Sequence, residues 1–114
     1  PDAYKDESDI GAVCAYLEEH SGEPVSLDQL GEVAGLSKYY LLRSFTKQKG
    51  ISPYRYLETI RIAKARKLLE RNVPMIEVAL QTGFADQSHF SRFFKRLIGV
   101  TPRQYAEIFG GRQA

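Results

Sequence analysis

The chain has 114 residues and a net charge of +2, with 43% hydrophobic and 26% charged residues, a composition suited to one domain or two very small ones. No apolar run approaches the roughly 20 residues of a membrane span, the polar acidic start PDAYKDESD has no signal-peptide pattern, and a lone Cys14 excludes an internal disulfide framework. Charge is unevenly placed: residues 1–36 carry −8 and residues 37–114 carry +10, so the later segment suits a polyanion-binding surface.

Periodicity and punctuation predict seven helices and no strand. The first runs from about Asp9 to His20, with Ile10, Val13, Cys14 and Leu17 on one face. Cys14 reads as a core residue on that face. After the connection GEPV, Ser26 to Gln29 forms a capping box that opens a short helix to about Ala34, burying Leu27, Leu30 and Val33 or Ala34. Gly35 and Ser37 make a turn, and a third helix runs from Lys38 to Lys49, burying Leu41 and Phe45 and exposing Tyr39, Leu42, Arg43 and Lys47.

Gly50 stops that helix, and Ser52-Pro53 starts the longest one, Pro53 to about Glu70. Its inner stripe is expected at Leu57, Ile60, Ala63 or Lys64, and Leu68. Asn72-Val73-Pro74 breaks it, Met75 to Thr82 is a short helix, and Gly83 a turn. From Asp86 a further helix is expected to bury Phe90, Phe94 and Leu97 and to present Gln87, Ser88, Ser91, Arg92 and Lys95. Gly99 to Pro102 leads into a last helix ending near Phe109, and the tail 110–114 is expected to fray.

The chain repeats itself. At an offset of 48, Leu27, Leu30, Gly35 and Leu36 fall on Met75, Val78, Gly83 and Phe84. At 49, Leu41, Arg43, Phe45, Gly50, Pro53 and Tyr56 fall on Phe90, Arg92, Phe94, Gly99, Pro102 and Tyr105. Each copy is short helix, Gly-containing turn, longer helix, which is the helix-turn-helix pattern. The fold class is therefore all-α and duplicated: a segment at 1–8 read as disordered or linker, a first helix-turn-helix subdomain at 9–52, a linker helix at 53–71, a second subdomain at 72–109, and the tail.

Helical hairpins also serve as protein-interaction scaffolds, so the outward faces decide between readings. Gln, Ser, Arg and Lys suit insertion into a DNA major groove. An 18-residue spacer at 1.5 Å per residue spans about 27 Å, which with its turns suits two recognition helices about one DNA turn apart. The alternative is a helical protein–protein interaction module, which an exposed apolar groove would favour. No paired acids, metal-ligand spacing, phosphate loop or Cys/His constellation suggests an enzyme, a metal or a cofactor.

The run GFADQSHFSRFFKRLIGVTPRQY, residues 83–105, closely resembles the signature of the AraC/XylS family of bacterial transcriptional regulators, and GLSKYYLLRSFTKQKGISPYRYL resembles that family's more variable first helix-turn-helix. The resemblance implies two homeodomain-like subdomains on promoter DNA, cytoplasmic action, and activation through RNA polymerase. It places base-reading contacts on Tyr39, Leu42 and Arg43 in the first unit and on Gln87, Ser88, Ser91 and Arg92 in the second, with Asp86 capping that helix beside the DNA; Lys38, Lys47 and Lys95 are read as further DNA contacts, Lys47 and Lys95 as phosphate clamps rather than base readers. Leu42 stands where many members carry a polar reader; it can touch a thymine methyl but donates no hydrogen bond. The chain begins without Met and carries no effector-binding or dimerisation domain, so an isolated C-terminal DNA-binding domain of a longer regulator is expected.

Overall fold

The computed structural model describes the backbone of residues 2–111 and the side chains of residues 10–111, and the chain divides into two compact units, Pro1–Ile60 and Arg61–Ala114. Among the described residues there are seven α-helices and no strand: α1 Asp2–Glu19, α2 Leu27–Ala34, α3 Lys38–Lys49, α4 Pro53–Glu70, α5 Met75–Gln81, α6 Gln87–Ile98 and α7 Pro102–Phe109.

In the first unit α1, α2 and α3 pack mutually. Ile10, Val13 and Leu17 of α1 meet Leu30 and Ala34 of α2, Leu41 and Phe45 of α3, and Leu57 and Ile60 of α4 in one core. The boundaries follow from local chemistry. Ser26 and Gln29 form a reciprocal capping box at the start of α2, so two otherwise orphan amides are satisfied. Gly35 closes the helix at φ 72°, its N–H bonded to Glu32 and Gly31 carbonyls, in a region where a Cβ is penalised. Ser37 then caps α3 through the Tyr40 amide at 3.2 Å.

The second unit repeats this plan with a larger aromatic core: Phe84, Phe90, Phe93, Phe94 and Tyr105 join Ile62, Ala65, Leu69, Val78 and Ala79. Asp86 caps α6, accepting from the His89 amide at 2.7 Å, and Thr101 with Gln104 forms the capping box of α7. The duplication reaches ring geometry. Phe45 meets Tyr56 edge-on at 5.4 Å, and Phe94 meets Tyr105 edge-on at 5.5 Å. In both units the closing glycine, Gly50 or Gly99, donates to the carbonyl four residues back at 2.8 Å.

Several expectations are corrected. α1 begins at Asp2, not near Asp9; the run AYKDES holds no Pro or Gly, and Ala, Lys and Glu favour helix. Leu27 is exposed, being the first residue of α2 with the core reached only from Leu30 onward. Leu97 is exposed because, in the last turn of α6, Ile98 packs on the core instead, while Phe93 joins Phe90 and Phe94 inside. α5 ends at Gln81, with Thr82 as its cap, buried and donating to the Val78 carbonyl at 2.6 Å.

The single inner stripe expected on α4 is replaced by two. Leu57 and Ile60 belong to the first core, whereas Ile62, Ala65 and Leu69 belong to the second; Ala63 and Lys64 are exposed and Leu68 is half-buried. The helix read as a linker is thus divided between the two units. Of the tail expected to fray, residues 112–114 lie outside the described residues, but Gly110 and Gly111 are tied down. The Gly111 amide donates to the Glu70 carbonyl at 2.8 Å, and Asn72, itself left-handed at φ 62°, donates from Nδ2 to the Gly111 carbonyl.

Candidate nucleic-acid interface

α3 and α6 are each the longer helix of a helix-turn-helix hairpin, and each turns its apolar side inward. Leu41, Ser44 and Phe45 anchor α3; Phe90, Phe93 and Phe94 anchor α6. What remains outward is fixed by the 3.6-residue repeat. On α3, Tyr39, Leu42, Arg43 and Lys47 line one shallow concavity with Tyr40, Ser44 and Thr46. On α6, Gln87, Ser88, Ser91 and Arg92 line another. Eight of the eleven residues named from sequence therefore line two helix faces, four on α3 and four on α6.

The other members sit nearby with defined partners. Lys38 lies 3.9 Å from Asp28, an exposed pair of small energetic weight. Asp86 spends one carboxylate oxygen on the helix cap, which also places a negative charge where the α6 dipole favours it. Lys95 is exposed in the last turn of α6 beside Arg96, whose guanidinium lies over the Phe93 ring at 5.6 Å. Arg43 lies over the Tyr39 ring at 5.9 Å, which holds both side chains on the outward face of α3.

Other candidates resolve as structure. His89 is half-buried with its ring edge-on to Phe84 at 5.6 Å. Tyr105 accepts from Arg66 Nε at 3.1 Å and donates to a Glu70 carboxylate, fastening α7 to α4; the bond to the phenol oxygen is the main cause that raises the Arg66 pKa, with the nearby Glu70 charge acting the same way and burial opposing. Tyr56 is hydrogen-bonded to Cys14, and that bond, with burial and the nearby Cys14 and Glu18 charges, raises its pKa. Sequence reasoning missed Tyr40 and Thr46. Thr46 was recoverable, since it follows Tyr39, Leu42 and Arg43 at i+7; Tyr40 lies off that stripe and is 45% exposed.

Among the described residues no group of three or more His, Cys, Asp or Glu is placed to hold a metal, and no helix is long and apolar enough to cross a membrane. The charge is concentrated in the second unit: Pro1–Ile60 carries −4 and Arg61–Ala114 carries +6.

Fold and faces together define a duplicated helix-turn-helix domain. A family model described as "Helix-turn-helix domain" matches residues 30–108. An uncharacterized HTH-type transcriptional regulator YbfI of Bacillus subtilis is 60% identical over 81 residues, covering 71% of this chain and 30% of that protein. The HTH-type transcriptional activator RhaS of Escherichia fergusonii is 38% identical over 106 residues, covering 92% of this chain and 37% of the relative. The chain thus spans about a third of the length of these relatives. Among solved structures, the C-terminal domain of AraT, a response regulator from Geobacillus stearothermophilus, superposes with a TM-score of 0.86 at 30% identity, over 92% of this chain and 88% of that one. The DNA-binding domain of AdpA, a global transcriptional factor solved with a target DNA, gives 0.82 at 29% identity, over 88% and 91%. The chain belongs to the AraC/XylS family of helix-turn-helix proteins.

Proposed function

We propose that this chain binds double-stranded promoter DNA sequence-specifically, as the DNA-binding part of a bacterial transcriptional activator, with α3 and α6 entering adjacent major grooves. The observation that carries the reading is the repetition of one hairpin with its longer helix presenting donors and cations outward, Arg43 and Lys47 in one copy and Gln87, Ser88, Ser91 and Arg92 in the other. Arg43 and Arg92 are assigned to guanine edges or bidentate phosphate, Gln87 and Ser91 to base edges, and Lys38, Lys47 and Lys95 to phosphates. Asp86 orients the first turn of α6 for that contact.

In the same reading RNA polymerase is the protein partner, in keeping with the activator named among the relatives, the protein works in the cytoplasm, and an effector-binding or dimerisation domain accompanies this one in the full-length regulator. A helical protein-interaction module is the second reading, favoured by Ile76 and Leu80, which stand exposed one turn apart on α5.

The test is selection of bound sequences from a random duplex library at two salt concentrations. Two enriched blocks about 10 base pairs apart support paired major-groove readout. Arg92→Ala is expected to weaken a selected site by about 1–3 kcal/mol and to relax base preference at one position; unchanged affinity and preference remove Arg92 from the readers. Binding with a steep salt slope and no enrichment means phosphate contact alone, and no binding at any salt leaves the interaction module.

A further inference from the structure

The two recognition helices are superposable in sequence register but not in chemistry. At the offset of 49 that aligns Arg43 with Arg92, Tyr39 takes the place of Ser88 and Leu42 that of Ser91. Tyr39, Tyr40 and Leu42 are 69%, 45% and 38% exposed. Leaving Tyr39 and Leu42 on the outward face of α3, with Tyr40 exposed just off it, forgoes burial that the fold gains elsewhere. None of the three belongs to the first core. The same face carries Arg43 and Lys47, and Arg43 lies over the Tyr39 ring, so its occupant is anionic as well as apolar at short range.

We propose, resting on the DNA-binding reading above, that α3 reads the 5-methyl groups of thymines, with Leu42 and Tyr39 as the specificity-determining residues, while α6 reads hydrogen-bonding base edges. The major groove is where this combination occurs. The thymine methyl projects there as its one apolar group, flanked by phosphates that Arg43 and Lys47 reach. Leu42 forms no hydrogen bond through its side chain, so within the groove it discriminates by contact with that methyl or by excluding a polar edge. Ser88 and Ser91, at the matching places of α6, are donors and acceptors of hydroxyl type and gain nothing from a methyl. The charge distribution agrees with the division: the unit carrying α3 is at −4 and draws less on phosphate attraction than the unit carrying α6, at +6.

The experiment replaces thymidine by deoxyuridine, which removes the methyl and leaves base pairing intact, in duplexes bearing the selected site. The block belonging to α3 is assigned first as the one whose base preference changes in Arg43→Ala. Deoxyuridine there is expected to weaken binding of the full chain roughly fourfold per contacted methyl, and deoxyuridine in the other block to leave it unchanged. In Leu42→Ala the sensitivity of the first block disappears while the second block keeps its preference. Leu42 is exposed, so the substitution spares the core, and the deoxyuridine series with the wild-type chain stands without it. Equal binding of thymidine and deoxyuridine duplexes, or sensitivity confined to the α6 block, overturns the assignment while leaving sequence-specific binding intact. A selection with no block assignable to Arg43 overturns it too, and one with no block at all removes the underlying reading as well.

Discussion

Gly31 is the position where the first hairpin is most tightly constrained. It lies inside α2, where alanine is ordinarily better than glycine by about 1 kcal/mol. A Cβ there would stand 2.7 Å from the Leu36 carbonyl oxygen, with the Lys38 amide nitrogen at 3.5 Å and the Ser37 carbonyl carbon at 3.7 Å. The obstacle is backbone, and that backbone is pinned, because the Leu36 amide donates to the Gly31 carbonyl at 3.0 Å. Overpacking against a fixed neighbour costs about 1–3 kcal/mol; set against the roughly 1 kcal/mol of helix propensity gained, Gly31→Ala is expected to lose up to about 2 kcal/mol net. Gly11 is the control: it lies in α1 with nothing within 4 Å of a built Cβ, so Gly11→Ala is expected to gain about 0.5–1 kcal/mol. Urea unfolding followed by helical circular dichroism measures both, and an unchanged m-value keeps the comparison valid. A Gly31→Ala variant stabilised as much as Gly11→Ala refutes the close approach and leaves helix propensity as the governing term. The second copy carries a side chain at this place. Ala79 occupies the matching place, and the stretch from the turn glycine to the next N-cap is one residue longer, Gly83 to Asp86 against Gly35 to Ser37.

Three further outcomes follow from single contacts. Asp86→Ala removes the α6 cap to the His89 amide and is expected to destabilise the second unit by about 1 kcal/mol, read in the same unfolding assay, with Asp86→Ser retaining most of it. Tyr105→Phe keeps the ring against Phe94 but deletes the bonds to Arg66 and Glu70, an expected loss of about 1–2 kcal/mol; no loss would mean that solvent replaces both partners without penalty. Tyr56 has its pKa raised in the folded state, chiefly by the Cys14 bond, so its contribution is present below the ordinary phenol value near 10 and declines as pH rises through the folded value. Tyr56→Phe is therefore expected to flatten the fall of stability at alkaline pH, and an identical fall in the variant assigns that loss to other groups.

Most helix limits were legible because Ser, Pro and Gly act through local geometry that needs no tertiary partner. Lys38–Lys49, Pro53–Glu70 and Pro102–Phe109 begin at a side-chain cap or a proline and stop at a glycine or asparagine that tolerates the left-handed region or a break. Burial was less legible because it depends on where a helix stops touching its neighbours. Leu27 and Leu97 fit an apolar stripe by angle yet sit in terminal turns. The inner face of α4 was misread for a different reason. A single period was fitted to a helix whose first half serves one core and whose second half serves another. The outward faces of α3 and α6 were accessible to the 3.6-residue repeat once Phe45 and Phe94 fixed the inward direction, while Tyr40 was not, since its exposure depends on local packing off that stripe.

The pattern of what the two copies keep and what they change separates folding constraint from function. Phe45 with Tyr56 and Phe94 with Tyr105 preserve nearly the same edge-on geometry, and Gly50 and Gly99 the same closing bond. Those contacts are set by close packing, where even one methylene is felt. On the outward faces Arg43 matches Arg92 and Lys47 stands against Arg96, while Tyr39 stands against Ser88 and Leu42 against Ser91. Exposed helix positions are nearly free of stability consequences, so stability alone explains neither the retained Arg43 and Arg92 nor the cluster of exposed aromatics on α3. A surface that keeps cations at two matching places and varies their neighbours from apolar to hydroxyl matches a polymer whose phosphates are uniform and whose bases differ.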